Sequence, residues 1–207
     1  MYINLNVYIV ASQSPSAKGM ENNLQKISIK TMITLISFSS LGLGFLGPVY
    51  AIFVVRNFSA SLFHAGILSA VFLLTSAIFK MPAGKLVDNY GKRKILFIGL
   101  IGCGVSSLAY IFAFDLMHLY VIEFIYGISF AFQRPALLAL MAVVSNKSSR
   151  GMLLGAFDSV DDISGAFAAV VSGAVVSTLG FNMLFFICFF CYLLSGLFIL
   201  KSRATIN

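Results

Sequence analysis

The chain has 207 residues, of which 59% are hydrophobic and only 10% charged, and its mean hydropathy is +0.97. So few polar residues cannot cover a soluble domain of this length, so the bilayer must surround most of the side chains. The formal net charge of +7 does not indicate nucleic-acid binding, because the basic residues lie between long apolar runs and form no basic helix or aromatic-spaced patch.

The first 30 residues are predicted to form a cytoplasmic arm. Residues 1–11 are mildly apolar, but no basic residues precede them, so they lack the pattern of a secretory signal peptide. Met20 is an alternative start of translation, and the sequence does not choose between it and Met1.

Six apolar stretches follow, each near or above the roughly 20 residues that a helix needs to cross the hydrocarbon core. Gly180-Phe181-Asn182 supplies a turn that divides the last long apolar run in two. The predicted fold is an all-α membrane protein, a bundle of six transmembrane helices. The predicted spans are about 31–55, 60–83, 95–114, 117–144, 151–179 and 182–200, and residues 201–207 form a cytoplasmic tail or the start of a linker.

The basic residues set the orientation, because cytoplasmic loops of membrane proteins are enriched in lysine and arginine. With the amino terminus inside, only Arg56 falls outside, and Arg134 lies within the membrane. Both termini are therefore predicted to be cytoplasmic, in a protein integral to the plasma membrane. The basic residues on or near the cytoplasmic side are Lys18, Lys26, Lys30, Lys80, Lys85, Lys92, Arg93, Lys94, Lys147, Arg150, Lys201 and Arg203.

The fourth and fifth spans contain charged side chains: Glu123 and Arg134 in the fourth, and Asp158, Asp161 and Asp162 in the fifth. A charge at the bilayer centre costs about 2.5–3.5 kcal/mol, so such residues usually face a cavity or a partner. Helical spacing places the charges of each span on one face. We expect Arg134 to pair with Asp161 or a neighbouring aspartate, and a surplus carboxylate, or Glu123, to form a proton or cation site. The alternative is a purely structural ion pair between the two helices.

No catalytic site is predicted, so the chain is not expected to be an enzyme. His64 and His118 lie near helix ends without metal-ligand spacing, and the serine and cysteine residues lack a neighbouring base. No metal and no cofactor are expected.

Residues 84–94, between the second and third spans, read GKLVDNYGKRK. Asn89-Tyr90-Gly91 is typical of a turn, and the plain interpretation is an ordinary basic cytoplasmic loop. The spacing Gly-x-Leu-x-Asp-x-x-Gly-basic-basic resembles motif A, the signature loop of the major facilitator superfamily. The resemblance implies a cytoplasmic latch that helps to hold the outward-facing state, formed by Gly84, Asp88, Gly91, Lys92 and Arg93.

Further matches to that family run along the chain, with two departures. Leu119-x-x-x-Glu123-x-x-Tyr126-Gly127 resembles the fourth-helix motif Leu-x-x-x-Arg-x-x-Gln-Gly, but glutamate and tyrosine stand in place of the arginine and the glutamine. The Gly-Pro pair of proton-driven drug exporters is absent from the fifth span.

The resemblance implies the amino-terminal half of a transporter in which two six-helix halves enclose the substrate site. The second half would be a continuation of this chain, a second copy of it or a separate subunit. The expected function is secondary active transport of a small solute by alternating access, coupled to protons. The alternative is a truncated or half-size membrane protein without transport activity, acting as an interaction partner.

A row of small residues in the fifth span, Gly165, Ala169 and Gly173, allows close helix contact. The resemblance implies that this row packs against the second half, whereas the alternative is packing within this bundle. The sixth span is crowded with phenylalanine, including Phe185 and Phe186, and is predicted to face lipid.

Overall fold

A computed structural model describes residues 29–145 and 150–204 of the chain, with backbone alone for 202–204. Most of the predicted arm, the alternative start at Met20, the loop containing Lys147 and residues 205–207 lie outside the described residues. The regular secondary structure of the described residues is all helical, and five helices within these ranges are long and apolar enough to cross a membrane. These are α1 (Ile29–Phe58), α2 (Leu62–Tyr90), α3 (Lys92–Ala109), α4 (Leu116–Val144) and α5 (Arg150–Ala204), and a 3-10 turn, Tyr110–Phe112, extends α3.

The junction between α2 and α3 is a single residue, Gly91. The turn predicted at Asn89-Tyr90-Gly91 is wrong in its first two residues, because α2 continues through Tyr90 and α3 starts at Lys92. Gly91 has φ 96° and ψ 137°, and its N–H donates to the Val87 carbonyl at 3.1 Å. Glycine adopts positive φ without the steric cost that other residues meet, so it ends α2 and lets α3 begin at once.

The long run α5 changes direction at Gly180, which has φ 81° and ψ 175° inside an otherwise helical stretch. A Cβ on Gly44 of α1 would lie 2.9 Å from Gly165, and one on Gly42 would lie 2.7 Å from the Tyr192 ring. In a straight helix Gly165 and Tyr192 would be about 40 Å apart. Because both contact one short part of α1, the chain folds back near Gly180, where the sequence predicts a turn.

Small residues let the helices approach closely. A Cβ on Gly99 of α3 would lie 2.5 Å from the backbone nitrogen of Gln133 in α4. One on Gly127 of α4 would lie 2.8 Å from the Phe72 carbonyl oxygen in α2. Bilayer proteins use such small-residue contacts because lipid tails compete equally for larger apolar side chains.

Aromatic rings fill the end of the bundle at which α1 finishes. Phe53 packs against Phe185 at 4.9 Å and Phe181 at 5.2 Å between ring centroids, and Tyr110 stacks on Phe185 at 5.2 Å. Phe185 is buried, so its predicted exposure to lipid is wrong: its face of α5 meets α1 and α3. Phe186, one position on, is exposed as predicted.

Candidate functional site

An ion pair joins two helices inside the bundle. Arg134 of α4 donates from Nη1 to Asp161 Oδ2 of α5 at 3.0 Å. Ser40 of α1 donates from its hydroxyl to the other carboxylate oxygen, Oδ1. The side chains of Arg134 and Asp161 are 32% and 23% exposed, so the pair is partly buried and still accessible from one side. The expected pairing of Arg134 with an aspartate is therefore present.

These three residues lie at a common depth. Ser40 and Asp161 each follow the start of their helix by about 11 residues, and Arg134 precedes the end of α4 by about 10. At about 1.5 Å per residue, each is about 15–17 Å from its helix end. The hydrocarbon core is about 30 Å thick, so the cluster lies near the middle of a membrane that the helices cross.

A cavity of about 300 Å³ opens beside Asp161 and includes Ser40, Gly44, Asp162 and Gly165 in its lining. Its walls come from α1 and α5, and glycine at two of these positions leaves the space free of side chains. A carboxylate, a hydroxyl and a guanidinium next to a small cavity can bind a polar or charged group of a solute, or exchange a proton.

The other two aspartates of α5 are not part of the ion pair. Asp158 and Asp162 are exposed, and neither lies within 4.0 Å of a basic side chain in the part of the chain that the structure describes. Asp162 shares the cavity with Asp161, whereas Asp158 does not line it. The predicted acidic cluster therefore meets Arg134 through Asp161 alone.

Glu123 occupies a second, separate site. It is only 4% exposed, and its Oε1 accepts a hydrogen bond from the Tyr110 hydroxyl at 2.8 Å. A cavity of about 230 Å³ is lined by Glu123 together with Tyr50, Tyr110 and Tyr126. Glu123 precedes Arg134 by about 11 residues, which places it about 16 Å away along α4, so the structure does not bring the two together.

Several polar contacts in the bundle were not expected from the sequence. The hydroxyls of Tyr126 and Tyr192 lie 2.8 Å apart, and the Cys103 thiol donates to Gln133 Oε1 at 3.2 Å. Tyr126 departs from the family motif, and this departure was a sequence signal that its side chain makes an unusual contact. Tyr192, like Ser40, lies in an apolar run with no periodic pattern to mark it, so its partner could be found only from the fold.

The residues of the 84–94 segment lie at one end of the bundle. Asp88 is exposed on the last turns of α2, and Lys92 and Arg93 are half-buried at the start of α3. All three line one cavity of about 550 Å³, which Gly91 also borders. Gly84 lies about two turns earlier on α2, and a Cβ there would meet nothing within 4 Å.

The row formed by Gly165, Ala169 and Gly173 has one packed side and one open side. The backbone of Gly165 packs against Gly44 of α1, so part of the row is used within the bundle. A Cβ on Gly165 or on Gly173 would meet nothing within 4 Å among the described residues. No group of three His, Cys, Asp or Glu side chains in the described ranges could hold a metal ion.

Membrane-length apolar helices that pack through small residues, with an ion pair inside the bundle, define a polytopic integral membrane protein. The chain belongs to the major facilitator superfamily, since the sequence profile of that family matches residues 32–205. The resemblance drawn from the 84–94 segment is confirmed.

Three relatives are similar over three quarters or more of this chain. An uncharacterized MFS-type transporter of Methanocaldococcus jannaschii is 28% identical over 86% of this chain and 45% of its own length. Multidrug resistance protein 2 of Bacillus subtilis is 27% identical over 89% of the chain and 46% of its own length. The chain thus spans about half the length of these two relatives. YitZ, an uncharacterized MFS-type transporter of Bacillus subtilis, is 24% identical over 75% of the chain and 94% of its own length.

Proposed function

We propose that this chain works as half of a secondary active transporter that moves a small solute by alternating access. The observation that carries the proposal is the cluster of Arg134, Asp161 and Ser40, drawn from three helices beside a cavity. A charged group at such a depth costs about 2.5–3.5 kcal/mol and usually marks a solute or ion pathway. Transporters of this architecture bind their substrate near the bilayer midplane.

The proposed unit has six spans, with α5 supplying two of them, 150–179 and 181–204, on either side of Gly180. It corresponds to the amino-terminal half, with both termini in the cytoplasm. The lengths of the first two relatives support a unit that is half of a longer transporter, because the chain covers 45% and 46% of them. The second half would be a continuation of this chain, a second copy or a separate subunit, and the open side of the row Gly165, Ala169 and Gly173 would pack against it.

Asp88 is proposed to act as the latch, with Gly84, Gly91, Lys92 and Arg93 holding the segment that carries it. The exposure of Asp88 supports this role, because its carboxylate is available to a group on the second half. The single-residue junction at Gly91 supports it further, since it fixes the direction in which α2 ends. Asp88→Asn should leave expression near normal and reduce transport sharply.

Asp161 is proposed to couple transport to proton movement, with Glu123 as a second protonation site. The predicted fourth and fifth spans carry four carboxylates, on Glu123, Asp158, Asp161 and Asp162, and one arginine, so the surplus charge within them is negative and favours a cation or a proton. The name of the Bacillus multidrug resistance relative suggests a small organic solute. A fluorescent organic cation is therefore the first probe to use.

The test is flux into liposomes that contain the chain together with any protein that copurifies with it from its own membrane. An imposed pH gradient should drive uptake of the fluorescent cation, and Asp161→Asn or Glu123→Gln should lower the rate by about tenfold or more. Asp115→Asn is the matched control, because it removes one carboxylate outside the helices. An unchanged pH dependence in all of Asp158→Asn, Asp161→Asn, Asp162→Asn and Glu123→Gln would exclude the coupling role.

The second candidate is a half-size membrane protein without transport activity of its own. The half-size part of this candidate is favoured by the relative YitZ, 94% of whose length matches this chain. In that case the chain should copurify with another helical membrane protein, and liposomes with the chain alone should show no uptake. Uptake by the chain alone, with the loss in Asp161→Asn described above, would exclude this candidate.

A further inference from the structure

A cavity of about 550 Å³ lies at the junction of α2 and α3, and the ends of α4 and α5 complete its wall. Its lining has two parts. One part is charged and consists of Asp88, Lys92, Arg93 and Lys94. The other part is apolar and includes Phe97, Ile98 and Leu200. The proposed latch uses Asp88 and the residues that hold its segment, but it assigns no ligand to the cavity that they border.

The charged part attracts an anion. Three consecutive basic residues at the start of α3 line the cavity against one carboxylate, that of Asp88. Lys92 and Lys94 alone outnumber the carboxylate of Asp88, so the surplus is positive even with Asp88 ionised. Basic pockets between transmembrane helices at the membrane surface bind acidic lipid head groups, and each lysine or arginine there contributes measurably to the affinity.

The apolar part is suited to hydrocarbon. Phe97 and Ile98 lie about five and six residues beyond Lys92, which places them about 8–9 Å deeper along α3. Ile98 is 53% exposed and Leu200 is 45% exposed, although both lie on helices that are apolar enough to cross a membrane. The cavity is therefore cationic where α3 begins and opens onto exposed apolar side chains, of which Ile98 lies deeper along α3, the same order of groups as in a phospholipid.

Other occupants fit this lining less well. The undescribed segments before α1 and α5 carry Lys18, Lys26 and Lys147 against one acidic residue, Glu21, so their net charge is positive and matches the basic lining poorly. A free inorganic anion would match the basic residues and would gain nothing from the apolar wall. The charge and the wall together select an anionic amphiphile.

We infer that this cavity binds an anionic phospholipid, whose phosphate contacts Lys92, Arg93 and Lys94 while an acyl chain lies along Phe97, Ile98 and Leu200. The site is independent of the transport proposal, because it needs no second half and no substrate. The bound phospholipid would contact the same 84–94 segment that contains Asp88.

The test is native mass spectrometry of the full chain in detergent, titrated with phosphatidylglycerol and, separately, with phosphatidylcholine. Phosphatidylglycerol should bind with an apparent affinity at least about tenfold higher. The triple variant Lys92→Gln, Arg93→Gln, Lys94→Gln should lose about tenfold or more of that affinity. The matched control, Lys30→Gln, Lys85→Gln, Lys201→Gln, removes three exposed charges that do not line the cavity and should stay within about twofold of the original chain.

Two further variants keep the test decisive if the first triple variant folds poorly. The first combines Lys92→Arg, Arg93→Lys and Lys94→Arg; it retains the charges and should retain phospholipid binding. The second, Ile98→Trp, fills part of the cavity beside the apolar wall at constant charge and should weaken phospholipid binding. Circular dichroism and gel filtration establish which variants are folded. Equal losses in both glutamine triples, or unchanged binding in Ile98→Trp, would overturn the proposal. Full competition by inorganic phosphate would do so too, because the occupant would then be a soluble anion.

Discussion

One carboxylate at Asp161 holds groups from two other helices, because Arg134 donates to Oδ2 and Ser40 to Oδ1. Removing one member of a partly buried ion pair leaves a charge without a partner in a medium of low dielectric constant. The pair therefore matters for stability mainly because removing one partner is costly. The two oxygen atoms of Asp161 that hold Arg134 and Ser40 are also the atoms that a proton would bind.

A double-mutant cycle measures this dependence. Arg134→Gln and Asp161→Asn should each lower the free energy of unfolding in detergent, and the double variant should lose less than the sum, with a coupling energy of about 1–2 kcal/mol. This is below the roughly 3–5 kcal/mol of a fully buried pair, because the two side chains are 32% and 23% exposed. Arg150→Gln with Asp158→Asn is the control cycle and should be additive. Additive losses at Arg134 and Asp161 would mean that the contact contributes nothing.

Asp115, which precedes α4 outside the helix, supports a pH prediction. The hydrogen bond from the backbone N–H of His118, at 2.8 Å, lowers the pKa of the Asp115 carboxyl, and the nearby His118 ring acts in the same direction. Because the folded pKa lies below that of the unfolded chain, about 3.9, this stabilisation is present above pH about 4 and is lost as pH falls through the folded pKa.

Asp115→Asn should therefore unfold near the wild-type temperature at about pH 7, since asparagine also caps helices. On acidification to about pH 3, its unfolding temperature should fall by less than that of the wild type. Asp115→Ala should unfold at a lower temperature at neutral pH. Thermal scans by circular dichroism in detergent check both statements. Parallel acid profiles of the wild type and Asp115→Asn would show that this carboxyl does not control the pH dependence.

Contacts between side chains of different helices could be predicted from the sequence only where both residues are charged. Arg134 and Asp161 are rare ionised residues at matching depths of adjacent spans, so their contact follows from helix length and topology. Ser40 and Tyr192 carry hydroxyl groups on apolar helices, and their partners, Asp161 and Tyr126, are distant in sequence. No local pattern encodes such a contact, because it depends on the rotation of each helix about its axis.

At the scale of the elements, the apolar runs predicted where the helices lie but not where they end. The second span was predicted to stop at residue 83, and α2 continues to Tyr90. Hydropathy measures the part of a helix that is in hydrocarbon, whereas backbone hydrogen bonding continues into the interface until a residue such as Gly91 interrupts it. Gly180 could be predicted as a break because one helix cannot use so long an apolar run within one membrane thickness.

Gly99 tests whether close approach sets the packing of α3 on α4. A Cβ at this position would lie 2.5 Å from backbone nitrogen and 2.8 Å from Cα of Gln133, atoms that cannot rotate away. Gly99→Ala should therefore cost about 1–3 kcal/mol of unfolding free energy in detergent. Gly66→Ala, in α2, is the matched control: nothing lies within 4 Å of its Cβ, so the change should be neutral or slightly stabilising. Equal free energies of unfolding for the two variants would show that α3 and α4 can move apart without a loss of stability.

At the scale of the whole molecule, the helix ends form two groups of different charge. The cavity lined by Tyr90, Lys92 and Lys94 also contacts Val143 and Leu200, so ends of four helices lie together there. The basic residues at this end include the three that begin α3 and Lys201 of α5. At the opposite end a cavity joins Asn57 and Ser59 to Asp115, and the nearby basic residue is Arg56. Lysine and arginine are retained in the cytoplasm during insertion, so this asymmetry should determine the orientation.

Reporter fusions after Lys30, Gly91 and Ser202 should therefore all be cytoplasmic, and a reporter between Arg56 and Ser61 should be external, because α1 and α2 are joined there at the less basic end. The matched control moves charge without changing its total: Lys92→Gln, Arg93→Gln and Lys94→Gln combined with Asn57→Lys, Ser59→Lys and Ser61→Lys. This variant should place a measurable fraction of the chains in the inverted orientation. A cytoplasmic signal from the reporter between Arg56 and Ser61 in the unaltered chain would contradict the predicted topology. It would also place the phospholipid cavity in the opposite leaflet.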